Sequence, residues 1–198
     1  VAGGYPYKFV SGCWAEGVIA ARAVVGDLRS GRIGEPPVQM AFEDKLERIY
    51  RSYRRFLDGQ SGVTAAEMEE RLQKIMDEYA GGISKFYEVN QAELGNARKL
   101  LERLGEQVDY LIAGDWHQLL QCHEVIDRID VARHLVEHLD YRKETRWPAF
   151  QSRSDYPNRD DFNWLKFVNS RRNPETGRIE MIERPYEQII GGDRYLPR

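Results

Sequence analysis

Residue types and spacing come nearest to a ligand site in the opening stretch, Tyr7-Lys8-Phe9-Val10-Ser11-Gly12-Cys13-Trp14-Ala15-Glu16-Gly17. The run up to Cys13 contains glycine, proline and aromatic residues, and Trp14–Ser30 is rich in alanine, valine and isoleucine. The pattern predicts a loop leading into a helix that begins near Cys13 or Trp14. The first N–H groups of such a helix lack intrahelical partners and sit at the positive end of its dipole. They would point back over Ser11-Gly12 and favour an anion or a polarised carbonyl. Gly12 would let a flat ligand approach the backbone closely. The alternative is that Ser11 caps its own helix and binds nothing.

Other chemistry-bearing residues read differently. His134 and His138 are spaced i, i+4, which suits a metal, yet neither lies in an HExxH pattern and no third ligand is evident, so no metal is expected. His117 and His123 read as polar members of a helix surface or of a hydrogen-bonded seam. Asp160 and Asp161 follow Pro157-Asn158, a context in which carboxylates cap turns and pair with arginines. Cys13 and Cys122 lie far apart without CxxC spacing, which fits a reducing compartment. No set of residues identifies a catalytic acid, base or nucleophile, and catalytic residues stay unassigned.

The elements that must position these residues are mainly helical. Gly31 to Pro37 breaks the first helix, and Val38–Leu57 then carries Met40, Phe42, Leu46, Ile49, Tyr50, Tyr53 and Phe56 near helical period. Thr64-Ala65-Ala66-Glu67 is a capping-box pattern opening a helix that ends at Gly81-Gly82. Asn90 starts another through Leu94, Ala97, Leu101, Leu104, Val108 and Leu111, closed by Gly114. Asp115 caps the last, which runs to about Tyr141 through Leu119, Leu120, Val125, Ile129, Ala132, Leu135 and Leu139. After Glu144 turn chemistry takes over, and Trp164–Asn169 and Arg178–Glu183 read as a β-hairpin around Asn173-Pro174-Glu175-Thr176-Gly177. The expected fold is mainly α: an antiparallel bundle of about three to four helices, preceded by a loop and helix and followed by a loop-rich segment with a small β-hairpin. The expected domains are 1–36, 37–144 and 145–198.

The bulk properties fit a globular chain. Its 198 residues can bury one good core, and the net charge of −3 with interleaved signs gives no basic stripe for nucleic acid. No apolar run approaches the roughly 18 to 20 residues that cross a bilayer. A cytoplasmic location is expected, with any membrane association through partner subunits. Val1-Ala2-Gly3-Gly4 reads as the middle of a turn, so the chain is expected to be part of a longer polypeptide.

The opening segment resembles the flavin-edge motif of the adenylylsulfate reductase flavoprotein, in which a Lys-Phe pair precedes Ser-Gly, a hydroxyl residue, an aromatic and then Glu-Gly. It is similar, more distantly, to the Arg-Leu-Gly-Ser-Asn-Ser-Leu-Ala-Glu segment of fumarate reductases and succinate dehydrogenases. A second likeness lies in Glu144-Thr145-Arg146-Trp147-Pro148, Asp155-Tyr156-Pro157-Asn158-Arg159-Asp160-Asp161 and Asn163-Trp164-Leu165, which look like the run that follows the helical bundle in the same superfamily. Phe167-Val168-Asn169-Ser170 and Arg184-Pro185-Tyr186 lean towards the adenylylsulfate reductase branch. Two motifs in the right order around a bundle are far more specific than either alone.

The resemblance implies a C-terminal part of an FAD-dependent oxidoreductase flavoprotein, inactive by itself, with the FAD held mainly by residues upstream of this chain. Ser11, Gly12, Cys13, Trp14 and Glu16 would lie along the flavin, with Cys13 and Trp14 offering backbone N–H groups, and Tyr7 and Lys8 would meet the substrate. Tyr7 stands where the adenylylsulfate reductase motif has histidine, and Lys8 where the dicarboxylate enzymes have arginine. Implied partners are the N-terminal FAD-binding portion of the same flavoprotein and an iron–sulfur, ferredoxin-like electron-transfer subunit. The chain itself has no G-x-G-x-x-G after a strand. The rival reading is a non-catalytic helical interaction module, for which the amphipathic helices alone would suffice.

Overall fold

The computed structural model describes residues 6–32, 40–148 and 150–186, with backbone alone for 6–12 and 40–42. The chain divides into two compact units, one ending at Ile49 and the other beginning at Tyr50.

In the first unit, α1 spans Pro6–Arg29. It therefore starts well before the expected Cys13 or Trp14. Proline suits the first helical position, because its φ is already helical and its missing N–H would have had no partner there. Gly12 alone, at a cost of about 1 kcal/mol relative to alanine, does not interrupt a helix. The helix exposes apolar side chains along its length, among them Trp14, Val18, Ile19, Val24, Val25 and Leu28. Trp14, Val18, Val25 and Leu28 fall on one heptad-like stripe. The helix α2 spans Met40–Arg54, within the expected Val38–Leu57, and continues past the unit boundary into a short 3₁₀ turn, Arg55–Asp58, that buries Phe56. Val38 lies outside the described residues.

The second unit holds the buried core, a single cluster from Phe56 to Val136. Three helices build it: α3 (Ala65–Tyr79), α4 (Gln91–Glu106) and α5 (Trp116–Tyr141). Each begins at the cap written in the sequence. Thr64 Oγ1 accepts from the Glu67 N–H at 3.2 Å while Glu67 Oε2 accepts from the Thr64 N–H at 2.8 Å, a complete capping box. Asn90 accepts from the Glu93 N–H at 3.0 Å, and Asp115 from that of Gln118 at 2.8 Å. Contacts run antiparallel: Arg98 of α4 meets Glu137 and Asp140 near the end of α5, and Leu101, one turn on, meets Arg133.

Three details differ from the expectation. The helix α4 stops at Glu106, short of Leu111, and a 3₁₀ turn follows at Val108–Tyr110. Leu111 is instead buried in an extended crossing, where Val63 donates to the Tyr110 carbonyl at 2.9 Å and Ile112 donates to that of Val63 at 3.0 Å. On α5 the buried stripe is Leu119, Cys122, Val125, Ile129, Ala132 and Val136. Leu120 and Leu135 fall on its outer face.

Beyond α5 the chain is pinned by a two-residue parallel pairing of β1 (Glu88–Val89) with β2 (Ser152–Arg153). A single turn, α6 (Asp161–Trp164), leads into an antiparallel hairpin of β3 (Lys166–Arg172) and β4 (Ile179–Pro185), each strand shifted slightly from its expected position. Asn173 Oδ1 accepts from the N–H groups of Glu175 and Thr176, and Gly177 supplies the positive φ of 68° that closes the loop.

Because every buried apolar residue among those described lies beyond Tyr50, a chain starting there should keep cooperative urea unfolding and helical circular dichroism. A broad, non-sigmoidal transition in that truncation would place part of the core in the first unit.

Candidate functional site

The residues expected along a flavin edge, Ser11, Gly12, Cys13, Trp14 and Glu16, together with Tyr7 and Lys8, all fall within the first turns of α1. The early helix start changes what the backbone can do there. The N–H groups of Cys13 and Trp14 lie in the helix interior, where the carbonyls of Phe9 and Val10 take them. The expectation that they are free donors fails for that reason. The donors left without an intrahelical acceptor belong to Tyr7 and Lys8, since Pro6 has no N–H. Cys13, Trp14 and Glu16 are exposed.

The second motif forms the most heavily built polar site in the described residues. The Glu144 side chain has 0% exposure, and its two oxygens accept from Arg142 Nη1 at 2.6 Å, Arg146 Nε at 2.7 Å, Arg146 Nη2 at 2.9 Å and the Asp160 N–H at 2.9 Å. Burial alone would raise its pKa, but Arg146, the Asp160 N–H and Arg142 outweigh it and hold the carboxyl below its ordinary value. Arg146 reaches on to Asp161 at 2.8 Å. The buried Arg153 makes a two-pronged contact with Asp155, 2.7 Å on each side, and also donates to the Leu139 carbonyl at the end of α5. Asp155 in turn accepts from the Gln91 N–H at 2.9 Å, at the start of α4. Thr145 accepts from the Arg153 N–H and donates to the Tyr156 carbonyl. Trp164 packs edge-on to Tyr141 with Arg142 and Lys166 against its ring. Asp160 caps α6 through the Asn163 N–H, and Asp161 pairs with Arg146 and Arg159. The motif is thus a knot that fastens the loop-rich segment to the bundle, and the two aspartates are structural.

The histidines also serve structure. His134 Nδ1 and His138 Nε2 converge on Ser170 Oγ of β3 at 2.8 and 2.9 Å. Among the described residues no three His, Cys, Asp or Glu side chains gather as a metal site. His123 bonds the Tyr53 carbonyl at 3.0 Å and stacks on the Tyr53 ring, and His117 meets Gln121 on the surface. Cys122 is buried, and desolvation pushes its thiol up. Sequence reading missed Arg153 and the hub role of Glu144. An Arg-x-Asp spacing next to a proline-rich turn was the only local signal.

The described residues of the second unit thus form an antiparallel three-helix core closed by this knot, with a hairpin beyond it. Residues 69–189 match the family described as fumarate reductase flavoprotein C-term, and the chain belongs to that family. It is 32% identical over 197 residues to the adenylylsulfate reductase subunit alpha of Megalodesulfovibrio gigas, covering 94% of this chain and 30% of that protein. The adenylylsulfate reductase of Archaeoglobus fulgidus superposes with a TM-score of 0.83 at 34% identity, over 93% of this chain and 30% of that one. E. coli quinol fumarate reductase shares the fold, with a TM-score of 0.67 at 18% identity over 79% of this chain and 27% of that one. The chain therefore spans about 30% of the length of the adenylylsulfate reductases it matches.

Glu144→Gln keeps the shape of the knot but leaves two guanidinium groups facing an uncharged amide. It should cost about 3 kcal/mol or more in urea unfolding. Glu144 and Asp155 both have depressed folded-state pKa values, the latter mainly through Arg153, so their stabilisation is present above the ordinary carboxylate range and is lost as pH falls below it. The native chain should weaken steeply below about pH 4.5, the ordinary Glu value, and the Glu144→Gln chain less steeply. Parallel pH profiles would show that Glu144 carries no charge-dependent stability.

Proposed function

We propose that this chain is the C-terminal portion of the flavoprotein subunit of an FAD-dependent oxidoreductase, of the adenylylsulfate reductase or fumarate reductase/succinate dehydrogenase type. The observation that carries this reading is α1, a helix of the first unit with exposed apolar side chains along its length, whereas the second unit closes a core of its own. A helix apolar on so much of its surface needs cover. The FAD-binding portion of the same flavoprotein is the cover we infer.

The residues present fit an edge of the cofactor and not its pyrophosphate site, for which no glycine-rich fingerprint is present. The chemistry FAD supplies when bound is two-electron transfer at N5, with single electrons exchanged with the clusters of an iron–sulfur partner. The part left to this chain is binding and orientation. Trp14 offers a flat exposed surface, and Ser11, Gly12, Cys13 and Glu16, from the same turns of α1, are assigned with it to the flavin edge. The N–H groups of Tyr7 and Lys8, which have no intrahelical acceptor, mark the end of α1 that favours negative charge, so Tyr7 and Lys8 are assigned to an anionic substrate. Tyr7 in place of histidine keeps the choice between adenylylsulfate and a dicarboxylate as the property to measure.

In the full-length flavoprotein, Lys8→Met removes that positive charge while keeping much of the bulk. Turnover should fall roughly ten- to a hundredfold, the equivalent of a charge-assisted contact of about 1.5 to 3 kcal/mol, with flavin content unchanged. Normal turnover would remove the substrate role from Lys8. The isolated 198-residue chain should be colourless and bind FAD weakly at most. Stoichiometric, tightly bound flavin in it would contradict the division of labour proposed.

A further inference from the structure

The helices α4 and α5 and the loop end of the hairpin enclose a cleft of about 450 Å³. That is the size of a small-molecule site, for which roughly 300 to 1,000 Å³ is usual. Its floor is apolar, made by Leu101, Val136 and Ile179. Its walls carry Arg98, Arg133, Arg172 and Arg178, drawn from three separate elements of a chain that is acidic overall.

The four arginines are not equivalent. Arg98 is held by Glu137 and Asp140, and Arg172 pairs with Asp130, so these two brace the walls. Arg133 and Arg178 form no ion pair among the described residues, against one such carboxylate, Glu102. The backbone seats Arg133. Its guanidinium lies against Gly105, where a Cβ would come within 1.7 Å of Nη2, and Nη2 donates to the Leu101 carbonyl at 3.2 Å. Its Nε is shut away from solvent with no acceptor. A helix glycine and an unpaired buried donor are both unfavourable, and together they place a guanidinium at the cleft. Arg178 stands opposite on the exposed hairpin loop, its side chain uncommitted.

We propose that this cleft binds a small organic anion, with an apolar body on the floor and a phosphate, sulfate or carboxylate head group taken by Arg133 and Arg178. The proposal is independent of the flavin reading, because all its residues lie in the second unit. The test titrates the 198-residue chain with 1-naphthyl phosphate at constant ionic strength, with inorganic phosphate and 1-naphthol as separate arms. Saturable binding of 1-naphthyl phosphate, at least about tenfold tighter than either fragment, is expected. Arg178→Ala should weaken it about tenfold or more without moving the unfolding midpoint, since the residue is exposed. Gly105→Ala should weaken it too, by displacing Arg133. The proposal is overturned by absence of saturable binding, by equal affinity for inorganic phosphate, which would mark a general electrostatic effect, or by unaltered binding in Arg178→Ala.

Discussion

A carboxylate removed from water stays ionised only if charge and hydrogen bonds replace its hydration, and the second unit is organised around one that does. Glu144 commits its acceptors to Arg142, Arg146 and the Asp160 N–H. Arg142 in turn donates to the carbonyls of Trp164 and Lys166, which fixes the entry to the hairpin. Arg153 and Asp155 extend the same logic to the end of α5 and the start of α4. The segment between α5 and β3 has almost no regular structure, so its backbone groups must be satisfied one by one. Remove the central charge and the guanidinium groups that order this loop lose their common partner.

The knot also explains why the motif reads so clearly in sequence, since each position in it makes a demand that few side chains meet. Arg146 and Arg153 need a planar fork, Asp155 must cap a helix and meet Arg153 at once, and Thr145 must both accept and donate. A pattern this specific marks a family without marking a reaction. Family membership was therefore legible from residues that hold the domain together, and Asp160 and Asp161 belong to that same set.

Elsewhere legibility followed locality. The caps at Thr64, Asn90 and Asp115 are decided within one turn of chain, and each appears where the sequence put it. The hairpin was legible for the same reason, through its Asn-Pro and Gly turn. The start of α1 was not, because glycine and aromatic residues near a proline suggest a loop until the proline is placed at the first helical position. Leu120 and Leu135 misled because α5 carries apolar residues on more than one face, and only tertiary packing chooses between them. The Ser170 contact with His134 and His138, and the cleft arginines, join residues far apart in sequence, where no spacing rule reaches.

The two units differ in how far they account for their own apolar surface, and that difference is the centre of the functional account. Hydrogen exchange measures it directly, because a helix without tertiary cover opens easily while a packed one opens only with its core. In the chain alone, the amides of α1 should exchange nearly unprotected while those of α3, α4 and α5 are strongly protected. Addition of the FAD-binding portion of an adenylylsulfate reductase alpha subunit should then slow exchange along α1. Protection of α1 equal to that of α5 in the chain alone, or no change on addition, would contradict the claim that α1 is completed by the rest of a flavoprotein.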